Sequence, residues 1–288
     1  MGDICHRGKV TLTRTEVKNL LLKYEIHPKK SLGQNFVVEP NTIRQIVELA
    51  ALNSDDFVLE VGPGLGSLTL ALLESCGHVT AVEIDDVLVD ILKEVTGIQT
   101  ENKLRVIHAD IMKLDLKQVL EERSSQWNMV ANLPYNIAVP VICDFLEKTP
   151  IISKMTVMVQ REVAERMVAK VGEKAYGLPS VKIEYFAQAK IVANIPPTVF
   201  LPKPRVESSI VQIVRHENPV ISETPEVLFD LIRSAFKHRR KMLRSSLKEI
   251  LTSDDFDATG IDSTKRAENL VLEEWELLTK QITSRGHE

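Results

Sequence analysis

The sequence predicts an α/β protein: a mostly parallel sheet covered by helices on both faces, followed by a small all-helical C-terminal domain. Three observations predict it. Short β-rich runs alternate with helical patterns from residue 57 to about 160. A glycine-rich turn, "EVGPGLG" at 60–66, joins the first of these strands to the helix after it. Near "HENPVISETPE" (216–226) the alternation stops and only helical patterns remain.

Taken in order, "NTIRQIVELAAL" (41–52) has apolar residues at helical spacing and precedes the first strand. The strands are "FVLEVG" (57–62), "VTAVEID" (79–85), "LRVIHAD" (104–110), "WNMVAN" (127–132) and "KMTVMVQ" (154–160). The helices between or after them are "SLTLALLESC" (67–76), "DDVLVDILKEV" (85–95), "PVICDFLEK" (140–148) and "REVAERMVAK" (161–170). Two later runs, "VKIEYFAQAKIVANI" (181–195) and "SSIVQIVRHE" (208–217), read as longer strands forming an antiparallel edge pair. Pro219 and Pro225 mark a boundary, and Thr224 or Glu226 would help open the next helix. The expected domains are therefore 1–218 and 219–288. The second opens with helical patterning over 227–248 and ends, after residue 254, in a turn and an amphipathic helix.

Composition narrows the function classes. The chain has 288 residues, 44% apolar and 26% charged, which is ordinary for a globular protein. No run of 18 apolar residues exists, and the first 30 residues lack the apolar core of a secretory signal, so neither a membrane span nor export is expected. Cys5, Cys76 and Cys143 lie far apart without a C-x-x-C, and read as reduced thiols of a cytoplasmic protein with no metal site. Net charge is −4, but "RSAFKHRRKMLRSSLK" (233–248) contributes +7 with no acid, leaving −11 on the rest. On a helix, Arg233, Lys237, Arg240, Lys241, Arg244 and Lys248 fall within an arc of about 100°. Leu228, Leu231, Ile232, Ala235, Met242 and Leu243 fall opposite, and Arg239 lands among the apolar set, so the helix breaks there or that side chain snorkels. A solvated face normally mixes charge signs. This one does not, and it reads as a surface for a nucleic-acid backbone.

The strand ends carry the chemistry. Gly62, Gly64 and Gly66 permit a sharp turn and a close approach to a ligand, but the spacing is G-x-G-x-G where a dinucleotide fingerprint wants G-x-G-x-x-G. Pro63 also removes a donor that a pyrophosphate would use. Glu83, 21 residues beyond Gly62, is placed to accept from both ribose hydroxyls, and Asp110 from an adenine amino group. A nucleoside site without a phosphate cradle suits S-adenosylmethionine better than NAD. The fourth strand then delivers "NLPY". Asn132 and the backbone carbonyl of Leu133 are acceptors for the protons of an exocyclic amine, and Tyr135 is a ring on which a base can stack. An aromatic amine is a poor nucleophile because its lone pair is delocalised into the ring. It needs its protons held out of plane, whereas a strong base is unnecessary because the alkylated amine is very acidic.

"NLPY" resembles the Asn/Asp-x-Pro-aromatic motif of adenine-N6 methyltransferases. In order, "KKSLGQNFVVEP" (29–40), "EVGPGLG", "NLPYN", "QREVAERM" (160–167), "PPTVFLPKPRVESSIV" (196–211) and "AFKHRRKMLRSSL" (235–247) are similar to the small-subunit ribosomal RNA adenine dimethylases. The resemblance covers about residues 27–250 and gives no role to the segments outside it. It implies a Rossmann-like S-adenosylmethionine-dependent methyltransferase fold with an N-terminal segment covering the cofactor. It implies dimethylation of two adjacent adenosines near the 3′ end of 16S RNA, late in assembly of the small (30S) subunit, by a monomeric cytoplasmic enzyme. By position it implies cofactor contacts at Asn35, Val37, Gly62, Glu83, Asp110 and Asn132, and target-base stacking by Tyr135 and Phe200. Alone, Phe200 before two prolines reads as a core plug; with Tyr135 and the resemblance it becomes the second wall of a clamp on an extruded adenine. Val37 replaces the family's usual leucine, a change that matters little if the contact is made by backbone. The nearest rival is a 23S RNA adenine dimethylase of the macrolide-resistance type. A DNA adenine methyltransferase and an NAD-dependent oxidoreductase fit less well. From another class, an assembly factor with secondary catalysis stays open.

Overall fold

The computed structural model describes residues 10–29, 32–97, 102–121, 126–218, 220–223 and 225–285. Cys5, Pro219 and Thr224, each given a part above, lie outside the described residues. The chain forms two compact units, Met1–Ala164 with Lys190–Val214, and Glu165–Ala189 with Arg215–Glu288.

The first unit is built on a seven-stranded sheet. Its strands are β2 (Phe57–Val61), β3 (His78–Glu83), β4 (Leu104–His108), β5 (Trp127–Asn132), β6 (Ile152–Gln160), β7 (Ala187–Ile195) and β9 (Ser208–Arg215). The order is β4-β3-β2-β5-β6-β9-β7, parallel from β4 through β6 and antiparallel where β6 meets β9. After β2 the chain winds outward through β3 and β4, then returns to the other side of β2 as β5. That reversal opens a crevice at the carboxyl ends of β2 and β5, where open α/β sheets hold ligands. Strands β2, β3 and β5 are almost wholly buried, as expected for a parallel sheet covered on both faces. Trp127, fully buried in β5, directs its Nε1–H to the Leu120 carbonyl at 3.2 Å, so its own polar group is satisfied.

The helices follow the pattern at α2 (Pro40–Ala50), α3 (Ser67–Ser75), α4 (Asp86–Thr96), α6 (Ala138–Lys148) and α7 (Arg161–Val168), while the short α5 (Leu116–Glu121) between β4 and β5 is not among those expected. A helix that the sequence pattern did not announce, α1 (Arg14–Lys23), opens with a capping box. The Thr13 Oγ accepts from the Glu16 N–H, and the Glu16 carboxylate accepts from the Thr13 N–H at 2.8 Å. Its Val17 is fully buried among Phe36, Leu65, Leu70 and Leu88. Two short strands, β1 (Phe36–Val37) and β8 (Phe200–Leu201), pair antiparallel beside the main sheet.

The second unit corrects two expectations and decides a third. The run 181–195 is not one strand: α8 (Leu178–Phe186) precedes β7. Gly177 begins that helix, Pro179 stands in its first turn, and the Gly177 N–H donates to Ser180 Oγ at 3.0 Å. Its apolar residues are buried on several sides, so the alternation typical of a half-buried helix is lost. The division also falls elsewhere than 218/219, because Tyr176, Val181 and Tyr185 pack into one core with Phe229, Ile232 and Trp275. Finally, 227–248 is not one helix but breaks near Arg239, one of the two outcomes the sequence leaves open there. α9 (Pro225–Lys237) ends there, a turn follows, and α10 (Leu243–Ser246) restarts the chain. The break lies beside Arg239, whose guanidinium pairs with Glu268 at 2.7 Å and donates to the Lys174 carbonyl at 2.6 Å. Met242, expected on the apolar side, is 41% exposed. α11 (Ser253–Thr259) and α12 (Leu272–Arg285) complete the unit.

Candidate active site

A cavity of about 320 Å³ lies at the crevice, within the range of small-molecule sites. Gly62, Gly64, Glu83, Asp110, Asn132 and Tyr135 line it, as do Asn35, Phe36 and Val37 from the segment before α2. All the cofactor residues expected by position, Asn35 and Val37 together with Gly62, Glu83, Asp110 and Asn132, thus come from separate stretches of chain that the fold brings to one place.

The glycine turn is committed to the protein itself. The Gly62 N–H donates to the Val82 carbonyl at 2.9 Å, the Gly64 N–H to Glu83 Oε2 at 3.1 Å, and the Gly66 N–H to the Pro63 carbonyl at 3.0 Å. Pro63 has no N–H to offer. The three glycine N–H groups of the turn are thus taken. Gly62 and Gly64 have φ of +68° and +59°, and a Cβ at Gly64 would stand 3.1 Å from the Phe36 ring.

Glu83 accepts three backbone N–H groups, from Gly64 and, on Oε1, from Ile84 at 2.9 Å and Asp85 at 3.0 Å. A carboxylate has about four acceptor positions, so one remains on Oε2 for a ribose hydroxyl. Burial still pushes the Glu83 carboxyl above its ordinary pKa, against the pull of those N–H groups. Asp110, half-buried, takes the Met112 N–H on Oδ1 at 3.0 Å and stands 3.5 Å from Lys113 Nζ.

Asn132 ends β5 with its Nδ2 donating to the Asn35 carbonyl at 3.1 Å. That bond turns Oδ1 into the acceptor the side chain can offer a ligand. Tyr135 is half-buried, and its hydroxyl shares a 2.8 Å hydrogen bond with Ser208 Oγ. Burial raises the phenol pKa, so the ring is neutral and its tip is anchored. Val37 lines the cavity while its carbonyl accepts from Ser67 Oγ at 3.4 Å.

Phe200 is a correction. It is 1% exposed, does not line the cavity, and packs with Val37, Ile43, Met158 and Ile210. Its pairing with Val37 across β1 and β8 turns the ring into the core. The second aromatic at the cavity is Phe36.

Glu60, which no motif above singles out, also lines the cavity. An acid inside the apolar run "FVLEVG" was the signal. Burial pushes its pKa up to about 8 despite a 2.7 Å hydrogen bond from Thr69 Oγ1. The folded state therefore holds a proton there that the unfolded chain has lost above its ordinary carboxyl pKa. Stability from this group falls as pH rises through that window, by about 1.4 kcal/mol per pH unit at most. Glu60→Gln removes this contribution. Urea unfolding at pH 5.5 and pH 8 is expected to find the variant losing less stability than the wild type, and equal losses would contradict the assignment.

The basic residues of the second unit are on the surface. Arg233, Lys237, Arg240, Lys241, Arg244 and Lys248 are all exposed. Arg233 pairs with Asp230, while Lys237, Arg240, Lys241 and Lys248 make no ion pair among the described residues. Among the described residues no group of three or more His, Cys, Asp or Glu could hold a metal, and no helix is long and apolar enough to cross a membrane.

Residues 26–284 match the profile of a family described as ribosomal RNA adenine dimethylase. A curated protein of Alkaliphilus oremlandii, named ribosomal RNA small subunit methyltransferase A, is 38% identical over 280 residues, covering 94% of this chain and 97% of its own. One of the same name from Mycobacterium avium is 41% identical, covering 96% and 89%. Among solved structures, a dimethyladenosine transferase from Plasmodium falciparum superposes with a TM-score of 0.73 at 24% identity, over 87% of this chain and 98% of that one. The 23S rRNA methyltransferase ErmE superposes at 0.65, also at 24% identity, over 86% and 99%. At that identity both likenesses concern the fold.

Proposed function

This chain belongs to the ribosomal RNA adenine dimethylase family, and on that premise we propose that its target is a pair of adjacent adenosines near the 3′ end of 16S RNA, in the maturing small subunit in the cytoplasm. The reaction is transfer of methyl groups from S-adenosylmethionine to adenine N6, twice per base. Support for the small-subunit target comes from the names of the relatives at 38% and 41% identity.

One observation carries the chemical reading. Asn132 lines the same cavity as Glu83 and Gly62, and its amide N–H is committed to Asn35, which leaves its oxygen as the side chain's acceptor. The cofactor, when bound, supplies an electrophilic methyl group on a sulfonium. Glu83 would hold a ribose hydroxyl on its remaining acceptor position, and Asp110 an adenine amino group. Asn35, Val37 and Gly62 would form the walls around it. The cavity fits a nucleoside sulfonium because it offers acceptors at strand ends while the glycine N–H groups of the turn are engaged within the protein.

The other steps belong to the chain. In the first transfer Asn132 Oδ1 and the Leu133 carbonyl accept the two N6 protons of the target adenine. In the second, one of these acceptors holds the single proton that remains, and each time the nitrogen lone pair leaves conjugation and faces the methyl group. Tyr135, fixed through Ser208, stacks on the base and holds it flat, a contact worth about 1–3 kcal/mol. Positioning supplies most of the acceleration. The proton leaves after the carbon–nitrogen bond has formed, because the alkylated aromatic amine is strongly acidic; no buried base is needed. Arg233, Lys237, Arg240, Lys241, Arg244 and Lys248 would hold the RNA backbone, and the enzyme acts as a monomer.

The test is mass spectrometry of nucleosides from separated ribosomal RNAs of cells with and without this gene. N6,N6-dimethyladenosine is expected to vanish from the small-subunit RNA alone. Its loss from the large-subunit RNA would instead favour the macrolide-resistance type.

A further inference from the structure

The segment before α2 touches both sides of the cavity. On one side Lys29 Nζ donates to Asp85 Oδ2 at 2.8 Å, and Gln34 Nε2 donates to the same oxygen at 3.2 Å. The Lys29 N–H donates to Gln34 Oε1 at 2.8 Å, and the Leu32 and Gln34 N–H groups both reach the Lys29 carbonyl. Lys29, Gln34 and Asp85 therefore close a clasp just beyond β3, two residues from Glu83. Asp85 is 5% exposed in its side chain and Lys29 54%. Burial alone would raise the Asp85 pKa, but the Lys29 and Gln34 hydrogen bonds outweigh it and the net direction is down. The carboxylate stays charged.

On the other side the same segment meets the turn after β5. Gly33 has φ of +64°, and a Cβ there would stand 2.9 Å from Asn136 Oδ1 and 3.1 Å from the Tyr135 nitrogen. Asn35 Nδ2 donates back to the Gly33 carbonyl at 3.1 Å, and the Asn35 carbonyl receives Asn132 Nδ2. The backbone atom that sets the orientation of the Asn132 carboxamide is thus one residue from Gln34.

We propose that Asp85 is a positioning residue: through Lys29 and Gln34 it fixes the Asn35 carbonyl, which in turn holds Asn132 with its oxygen facing the target amine. The proposal rests on the reading of Asn132 given above. An amide can rotate by half a turn at little cost, and a rotated Asn132 would present a donor to an amine that needs an acceptor. A fixed carbonyl opposite Nδ2 forbids that rotation. Asp85 itself does not line the cavity, so its effect reaches the reaction only through the clasp.

The test uses the full chain carrying Asp85→Asn, Lys29→Met or the conservative Lys29→Arg. Two quantities are read: single-turnover methylation of unmethylated small subunits at saturating S-adenosylmethionine, and the side-chain amide resonance of Asn132 in selectively labelled protein, assigned by its absence from Asn132→Ala. Asp85→Asn and Lys29→Met are expected to shift and broaden that resonance and to slow transfer by about 10–100-fold, as for a reacting group loosened by a fraction of an ångström. Lys29→Arg keeps both near wild type. An unmoved resonance in Asp85→Asn and Lys29→Met overturns the clasp, whatever the thermal stability does; Lys29 is largely exposed, so its variant folds even where Asp85→Asn does not. A moved resonance with no adenine methylation by the wild type leaves the clasp standing and removes the proposed function instead.

Discussion

On the proposed mechanism, Asn132→Ala is expected to slow methyl transfer by about 10²–10³-fold, the usual cost of deleting one preorganised polar contact to a reacting group. Cofactor affinity changes far less, because Glu83 keeps its three backbone donors and its remaining acceptor position without help from Asn132. Two functions disappear together. The Oδ1 acceptor is removed, and the Asn35 carbonyl is deprived of the donor at 3.1 Å. Asn132→Asp separates them: it retains acceptors but sets a carboxylate against that carbonyl, and is expected to fall between wild type and alanine. Rapid-quench methylation, with cofactor binding measured by calorimetry on the same samples, checks both. Near-normal turnover in Asn132→Ala would take the residue out of the mechanism.

Reversing Lys237, Lys241 and Lys248 together to glutamate is expected to weaken RNA binding and flatten its salt dependence. Each phosphate no longer neutralised lowers the log–log slope by about 0.7–0.9, so the triple variant should give up about two to three units of slope. All three lysines are exposed and none makes an ion pair among the described residues, so folding is spared. Arg239 is the wrong choice despite lying in the same stretch. Its guanidinium ties Glu268 to the Lys174 carbonyl, and removing it would disturb the second unit's own packing. Filter binding across a salt series reads the slope, and an unchanged slope would mean that this face is only solvated.

The parallel strands were legible because each is a short β-branched run bounded by turn residues, and Trp127–Asn132 falls where "WNMVAN" placed it. Their acid and amide ends were legible for the same reason: a strand end in an open sheet has only one place to point. What could not be read depends on packing. The helix Leu178–Phe186 looks like a strand because it is buried on several sides, and burial erases the period that tells the two apart. The stretch 227–248 has the charge arc of one helix with Arg239 out of place in it, and the choice between a break there and a snorkelling side chain depends on the distant Glu268, with which Arg239 pairs. Phe200 alone reads as a plug, and the resemblance turns that reading into a clamp; its pairing with Val37, a contact between distant stretches, restores the plug. The clasp is the extreme case. Lys29 and Asp85 are 56 residues apart, and nothing near either one announces the other.

The arrangement around Asn132 makes one demand that other adenine chemistries do not. The ring nitrogen N1 is the stronger intrinsic nucleophile of adenine and needs no acceptor, whereas N6 reacts only when its protons are held. The most direct measurement is therefore nucleoside mass spectrometry of small-subunit RNA after incubation with the purified protein and S-adenosylmethionine. N6-methyladenosine should rise first and give way to N6,N6-dimethyladenosine, with no 1-methyladenosine. Methylation at N1, or a product that stops at the monomethyl stage with excess cofactor, would contradict a site built to hold an amine.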